Sequence, residues 1–209
     1  MTADALARRT HRIELAATVL LAFAAVATAW SSYQSARWRG TQALKASKAT
    51  AARIASSQAA TRAGQLTQID VATFIQWVDA DVTGNRKLAD FYRQRFRKEF
   101  RPAFAAWLAT KPRTNPNAPL TPFGLPQYRL AETQRSEQLD ARGALAAAGA
   151  EKANQKANDY VLAVVLFASC LFFAGISTKV HALRQREALL VIGWTIWLGT
   201  AIWLATLAF

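Results

Sequence analysis

The sequence is poor in the residues that carry most catalytic and metal-binding chemistry. Its 209 residues include one cysteine, Cys170, and two histidines, His11 and His181. No intramolecular disulfide is possible, neither histidine has metal-ligand spacing, and a nucleophilic triad is nearly excluded. There is no glycine-rich phosphate loop and no G-x-S-x-G motif. We therefore predict no catalytic, cofactor-binding or metal-binding residue, no cofactor and no enzymatic activity, although carboxylate chemistry stays open.

Charged residues are missing from three long runs. Positions 15–36, 160–178 and 188–209 contain 22, 19 and 22 uncharged residues. A helix of about 20 mostly apolar residues crosses the roughly 30 Å of a bilayer's hydrocarbon core. The sequence therefore predicts an all-α membrane protein with transmembrane helices at 13–36, 160–178 and 188–209. The alternative is that these runs are buried helices of a soluble protein.

The interiors of the three runs also lack Asp, Glu, Lys, Arg and His. Ionisable residues at membrane depth mark proton relays and ion-coupled transport, so their absence argues against a proton-driven pump or an ion-driven stator. Small hydroxyl side chains are present instead. They leave open an oligomeric ion channel lined by several copies of the first helix, with the candidate pore-lining residues Thr18, Thr28, Ser31 and Ser32.

The N-terminus has a second interpretation. Arg8 and Arg9, an apolar core and then Ala27-Thr28-Ala29 follow the order of a secretory signal. Cleavage after Ala29 would remove the first predicted span.

The net charge of +13 indicates an anionic partner, and with membrane spans present anionic lipid headgroups are the simplest one. Short basic segments stay in the cytoplasm. The tail 1–12 and the link 179–187 each carry three Lys or Arg residues. We therefore predict a bacterial inner-membrane protein with a cytoplasmic N-terminus and with 37–159 in the periplasm or outside the cell. The cations that closely follow the first span favour the opposite orientation, with 37–159 in the cytoplasm. Nucleic acid would be a plausible partner only in that orientation.

Proline is absent between Ser31 and Val78, so the first helix is expected to continue beyond the membrane. Small residues recur along it at spacings of three and four, and the same spacing precedes the second span. Such stripes let helix backbones approach closely in lipid or in a coiled coil. They predict a long antiparallel hairpin of helices 1 and 2, with a packing seam formed by Ala22, Ala25, Ala29, Ser32, Ala36, Gly40, Ala43, Ser47, Gly143, Ala146, Ala150, Ala153 and Ala157. The two halves are expected to face each other or a neighbouring subunit.

The region 66–127 differs in being rich in aromatic residues, and we predict a helical head there. A turn is expected at Thr83–Asn85, followed by one amphipathic helix kinked at Pro102 and then by a loop. That loop, 111–126, contains five of the six prolines. The aromatic residues are expected to form the core of the head or, alternatively, a docking surface. A basic face is predicted at Arg86, Lys87, Arg93, Arg97 and Arg101, solvated or in contact with an anionic partner.

The segments 15–40 and 158–177, with Trp30, Tyr33 and Trp38 among their marked residues, resemble uncharacterised small bacterial membrane proteins in families of unknown function. The resemblance implies an inner-membrane location and supplies no activity. Our leading hypothesis is a non-enzymatic scaffold or binding subunit that forms homo-oligomers or a complex. The rivals are the channel and an accessory or sensor subunit of an unidentified membrane complex.

Overall fold

The computed structural model describes the backbone of residues 3–208 and the side chains of residues 8–206. Positions 1–2 of the predicted tail and position 209 of the third predicted span lie outside the described residues. The described chain is helical and contains no strand. Its five helices are α1 (Ala3–Val82), α2 (Arg86–Arg95), α3 (Arg101–Ala109), α4 (Ala131–Ser177) and α5 (Leu183–Ala208).

Three of these helices are long and apolar enough to cross a membrane, namely α1, α4 and α5. Between 17% and 28% of their most apolar segments is buried inside the chain. Apolar side chains that face outward in this way have to be covered by lipid or by another protein.

Two of the predicted boundaries differ from the structure. The second half of the predicted link 179–187 is helical, because α5 begins at Leu183 and includes Arg184 and Arg186. The helix that leads into the second span begins at Ala131, beyond position 127 where the predicted head ends. Glu99 Oε1 accepts a hydrogen bond from the Ala131 backbone N–H at 3.1 Å, which satisfies one of the free donors at the start of α4.

The chain divides into two compact units. Unit 1 comprises Met1–Ser47 and Ala147–Phe209, and unit 2 comprises Lys48–Ala146. The helices α1 and α4 each contribute residues to both units, and unit 2 contains the whole range predicted as the head.

Unit 1 is packed through small side chains. The buried residues of α1 and α4 are mostly alanine and serine, and they include Ala17, Ala24, Ser31, Ala153, Ala157, Ala163 and Ala174. The third apolar helix, α5, packs closely against α1, since a Cβ atom added to Gly193 would lie 2.8 Å from Leu20 Cδ2. Small residues allow this approach, which is how helices gain van der Waals contact where no water is excluded.

Unit 2 has an aromatic core. Phe74 and Trp77 of α1 pack against four aromatic residues that lie between positions 96 and 107, and Phe123 and Tyr128 complete the cluster. Most ring pairs meet edge to face, such as Trp77 and Phe104 with centroids 4.8 Å apart. This geometry places the positive edge of one ring on the negative face of another.

The turn between α1 and α2 falls at Thr83–Asn85, where the sequence predicts it. Gly84 has a φ of 75°, and the Asn85 side chain caps α2 by accepting a hydrogen bond from Leu88 N at 3.2 Å. The single helix expected to kink at Pro102 is instead two helices, because α2 ends at Arg95 and α3 begins at Arg101. Pro102 has no N–H to donate and therefore lies in the first turn of α3, where none is needed.

Candidate functional site

The two halves of the predicted packing seam lie in different environments. On α4, Gly143, Ala150, Ala153 and Ala157 are buried and Ala146 is half-buried. On α1, all eight predicted positions are exposed, namely Ala22, Ala25, Ala29, Ser32, Ala36, Gly40, Ala43 and Ser47. The α4 half is therefore covered within the chain, while the α1 half is left on the surface.

The α4 stripe packs on a different face of α1 from the predicted one. In unit 2, a Cβ atom added to Gly143 would lie 3.4 Å from Ala49 O and 3.3 Å from Arg53 Cγ. In unit 1, one added to Gly149 would lie 3.2 Å from Lys45 Cδ, and Lys156 Nζ lies 4.8 Å from the centre of the Trp38 ring. With 3.6 residues per turn, the centre of the exposed stripe is roughly 130° around α1 from the buried face.

The exposed stripe of α1 continues beyond Ser47, the last residue of the predicted seam on this helix. Ile54 falls in register with it and is 56% exposed. No atom within 4 Å would obstruct a Cβ atom at Gly40 or at Gly64, which continues the stripe. A continuous exposed stripe of small residues is a surface on which a second helix can approach closely.

The four candidate pore-lining residues do not share one surface. Ser31 is buried, whereas Thr18 and Ser32 are exposed and Thr28 is half-buried. The hydroxyls of Thr18 and Thr28 donate to the carbonyls of Glu14 and Ala24 at 2.9 and 2.7 Å. Each of these hydroxyls uses its one proton within its own helix and keeps its oxygen lone pairs as acceptors.

The predicted basic face of the head contains four exposed residues, Arg86, Lys87, Arg93 and Arg101. Arg101 also donates to the carbonyls of Phe96 and Gln94, both at 2.8 Å, and so satisfies acceptors at the C-terminal end of α2. Arg97 is placed differently, because its guanidinium is turned into unit 2. There it pairs with Asp70 at 2.9 Å and also with Glu99.

Sequence reasoning missed this polar cluster. Asp70 is fully buried, and its Oδ2 accepts hydrogen bonds from Arg97 and from the Tyr128 hydroxyl at 3.0 Å. Burial raises the pKa of Asp70 despite these partners, and it raises the pKa of Tyr128 to about 12. The signal available was helical spacing, since Asp70, Phe74 and Trp77 lie on one face of α1.

The cluster joins four segments of unit 2. Asp70 belongs to α1, Arg97 and Glu99 to the link between α2 and α3, and Tyr128 to the segment before α4. Glu99 binds the start of α4 as well as Arg97. A buried, charge-assisted network of this kind holds connecting segments in one arrangement. We interpret it as a positioning element, because its hydrogen bonds and ion pairs connect segments that are far apart in the sequence.

Unit 2 contains a cleft of about 650 Å³. It opens between the end of α1, with Trp77 and Val82, and the proline-rich loop 111–120. The loop is held by Trp107 Nε1, which donates to Pro119 O at 2.7 Å, and by Arg113, which pairs with Asp81 at 2.6 Å. Leu120 stands at its edge and is 95% exposed. The cleft is mostly apolar, as ligand sites generally are.

Within the described residues, no group of three or more His, Cys, Asp or Glu side chains is arranged to hold a metal ion. Comparison with protein-family models, with curated proteins and with solved structures found no match for this chain. The resemblance to small bacterial membrane proteins therefore stays a prediction.

Proposed function

We propose that the chain is a non-enzymatic membrane scaffold that assembles with a second copy of itself through the exposed stripe of α1. Three spans would anchor it in the inner membrane of a bacterium. The helices α1 and α4 would extend beyond the bilayer as an antiparallel hairpin carrying the head. The N-terminus and the basic link would be cytoplasmic, and the head would be periplasmic or extracellular.

The observation that carries this proposal is the exposure of the α1 stripe from Ala22 to Ser47 while the opposite face of α1 is buried. The stripe is flat because its side chains are small, so two backbones can approach closely along it. A two-fold dimer uses the same patch on both subunits, which suits a stripe that lies on a single helix. Ile54 would then be covered by the second copy rather than by water.

The oligomeric state tests the proposal. Gly40→Leu adds a large side chain to the stripe, and the chain itself has space there for a Cβ atom. Mass photometry in lipid nanodiscs is expected to find dimers or larger assemblies for the natural sequence and mainly monomers for Gly40→Leu. Ala60→Leu, at an exposed position on another face of α1, is the control and should leave the assembly intact. A monomeric natural protein, or equal behaviour of the two variants, would reject the proposal.

The orientation is tested separately by labelling Ser57→Cys in a Cys170→Ser background. Ser57 is exposed in unit 2. A membrane-impermeant thiol reagent is expected to label it in intact cells. Labelling only after lysis would place unit 2 in the cytoplasm and reverse the proposed topology.

The cleft of unit 2 supports a second candidate function, that of an accessory subunit that binds an apolar segment of a partner protein. Val82, Leu108 and Leu120 border the cleft, and all are exposed and lie outside the three apolar runs. A photo-crosslinker at Leu120 is expected to give an adduct of one discrete mass in native membranes. The adduct should be lost with Leu108→Asp and absent from a crosslinker at exposed Gln138. Equal adducts at both positions would exclude this function.

A further inference from the structure

A groove of about 500 Å³ lies between α1 and α5 in unit 1, and its two ends differ in chemistry. Arg12 of α1 lies at one end, beside the ion pair of Arg9 and Glu187. The remaining wall is almost entirely apolar and is formed chiefly by Ile13 and Ala16 of α1 and by Val191, Trp194 and Leu198 of α5. These positions recur at spacings of three and four, so each helix presents one continuous face to the groove.

The charged end has more cations than carboxylates. Glu187 is engaged by Arg9 through two contacts of 2.6 Å, and Glu14 is paired with Arg186 at 3.6 Å. No described side chain forms an ion pair with the other cations of segments 8–14 and 179–187, which are Arg8, Arg12, Lys179 and Arg184. Arg12 is the one among them that lines the groove.

The apolar wall is open to the surroundings. Val191 is 64% exposed and Leu198 is also exposed, so each offers an uncovered surface. Among the described residues of the wall, Thr195 carries the one hydroxyl, which donates to Val191 O at 2.8 Å. A small soluble anion would use only the Arg12 end and would leave this wall uncovered. A molecule with an anionic head and a hydrocarbon chain matches both parts.

We propose that this groove holds an anionic phospholipid of the bilayer, with its phosphate at Arg12 and one acyl chain along Ile13, Val191, Trp194 and Leu198. The proposal rests on the membrane placement proposed above and is independent of the dimer. Basic pockets between membrane helices bind anionic headgroups in this manner. The bound lipid would contact both α1 and α5 where the two helices reach the membrane surface.

The test measures lipid retention by the full-length chain in nanodiscs made from equal amounts of phosphatidylglycerol and phosphatidylcholine. Native mass spectrometry is expected to find phosphatidylglycerol retained preferentially. Arg12→Gln should lower that preference about fivefold, because it removes the side chain proposed to bind the phosphate in the groove. Arg184→Gln removes an unpaired cation outside the groove and should change the preference less than twofold. Equal losses in the two variants would indicate diffuse attraction and would overturn the proposal, as would no preference in the natural protein.

Two further arms separate the alternatives. Ala16→Trp fills the apolar part of the groove without changing any charge, and it should release the lipid as strongly as Arg12→Gln does. Unchanged retention in this variant would refute the acyl-chain site. Free inorganic phosphate should fail to displace the lipid, and displacement would identify a site for a soluble anion instead. Failure of the chain to enter nanodiscs would refute the membrane placement itself, whereas insertion without lipid preference would refute only the groove.

Discussion

The two units differ in the side chains that fill their interiors. In unit 2, Phe100 is 0% exposed and meets the rings of Phe74 and Phe96 at centroid distances of 6.2 and 4.9 Å. In unit 1, Phe172 is 62% exposed, while alanines such as Ala157 and Ala163 are fully buried. In water, burial of large apolar side chains is favourable. In hydrocarbon there is no such driving force, because lipid tails are as apolar as the side chains. The difference indicates that the units are built for different solvents.

One helix contributes to both arrangements. The inward face of α1 carries Ala17 and Ala24 in unit 1 and carries Phe74 and Trp77 in unit 2. Buried aromatic side chains of α1 occur in unit 2, whereas its buried residues in unit 1 are aliphatic or serine. Unit 1 therefore depends on close backbone approach, and unit 2 depends on the area of its rings.

The largest expected effect comes from truncating a phenylalanine in each unit. Phe100→Ala should destabilise unit 2 by about 3–5 kcal/mol, because it leaves a cavity inside the ring cluster. Phe172→Ala should cost less than about 1 kcal/mol, since the side chain is exposed and its space is refilled by lipid. Denaturant unfolding in nanodiscs, followed by the near-ultraviolet circular dichroism of the tryptophans, measures the first. Loss of helix on titration with sodium dodecyl sulfate measures the second, and similar costs would remove the contrast between the units.

The next effect concerns the buried ion pair of unit 2. Arg97→Met should destabilise the unit by roughly 3 kcal/mol, because Asp70 stays buried without its guanidinium partner. Arg93→Met, at an exposed position in α2, is the matched control and should stay within about 0.5 kcal/mol of the natural protein. The same unfolding measurement applies. Adding Asp70→Asn to Arg97→Met should recover part of the loss, and no recovery would argue against the pair.

Packing in unit 1 is tested by its glycines. Gly193→Ala should cost about 1–3 kcal/mol, because the new methyl group would meet Leu20 Cδ2 at 2.8 Å and the leucine has to move. Gly199→Ala, where nothing lies within 4 Å of the added Cβ atom, should be neutral or stabilise the helix by up to about 1 kcal/mol. Loss of helix on titration with sodium dodecyl sulfate compares the two variants. Equal stabilities would mean that α5 is not packed closely on α1.

The smallest effect is the pH dependence of unit 2. Because burial raises the pKa of Asp70, the folded state binds its proton more tightly than the unfolded state does. This contribution to stability is complete below the ordinary carboxyl pKa and is lost as pH rises through the raised pKa. Unfolding midpoints measured from acidic to neutral pH should show this decline, and Asp70→Asn should reduce it. Asp79→Asn, exposed near the end of α1, should leave it unchanged. A decline that persists in Asp70→Asn must arise from other groups.

Several elements could be predicted because their signals are local. Three charge-free runs are sufficient to identify three apolar helices, and Thr83–Asn85 combines turn and capping residues in the order that a turn requires. The break between α2 and α3 was harder to predict, because Phe96, Phe100 and Phe104 keep helical spacing across it. Pro102 signals an interruption without specifying whether the chain bends or stops.

Which face of α1 packs inside the chain could not be predicted. Ala, Ser and Gly are distributed around the whole helix, so the stripe from Ala22 to Ser47 and the face with Ala24 and Ser31 satisfy the same spacing rule. The partner of Arg97 was equally hidden, because Asp70 lies 27 residues away. The sequence places Arg97 among the exposed basic residues of the head, whereas in the fold its guanidinium pairs with the buried Asp70 carboxylate.

The helical class, the three apolar helices, and the contrast between an alanine-rich part and an aromatic part can be read from the amino-acid sequence. They follow from composition and from the spacing of residues along one helix, which do not depend on tertiary contacts. Packing between helices sets which stripe is covered, turns Arg97 inward, and makes α1 and α5 enclose a groove with one charged end. These depend on residues far apart in sequence, whose meeting is set by how whole helices pack.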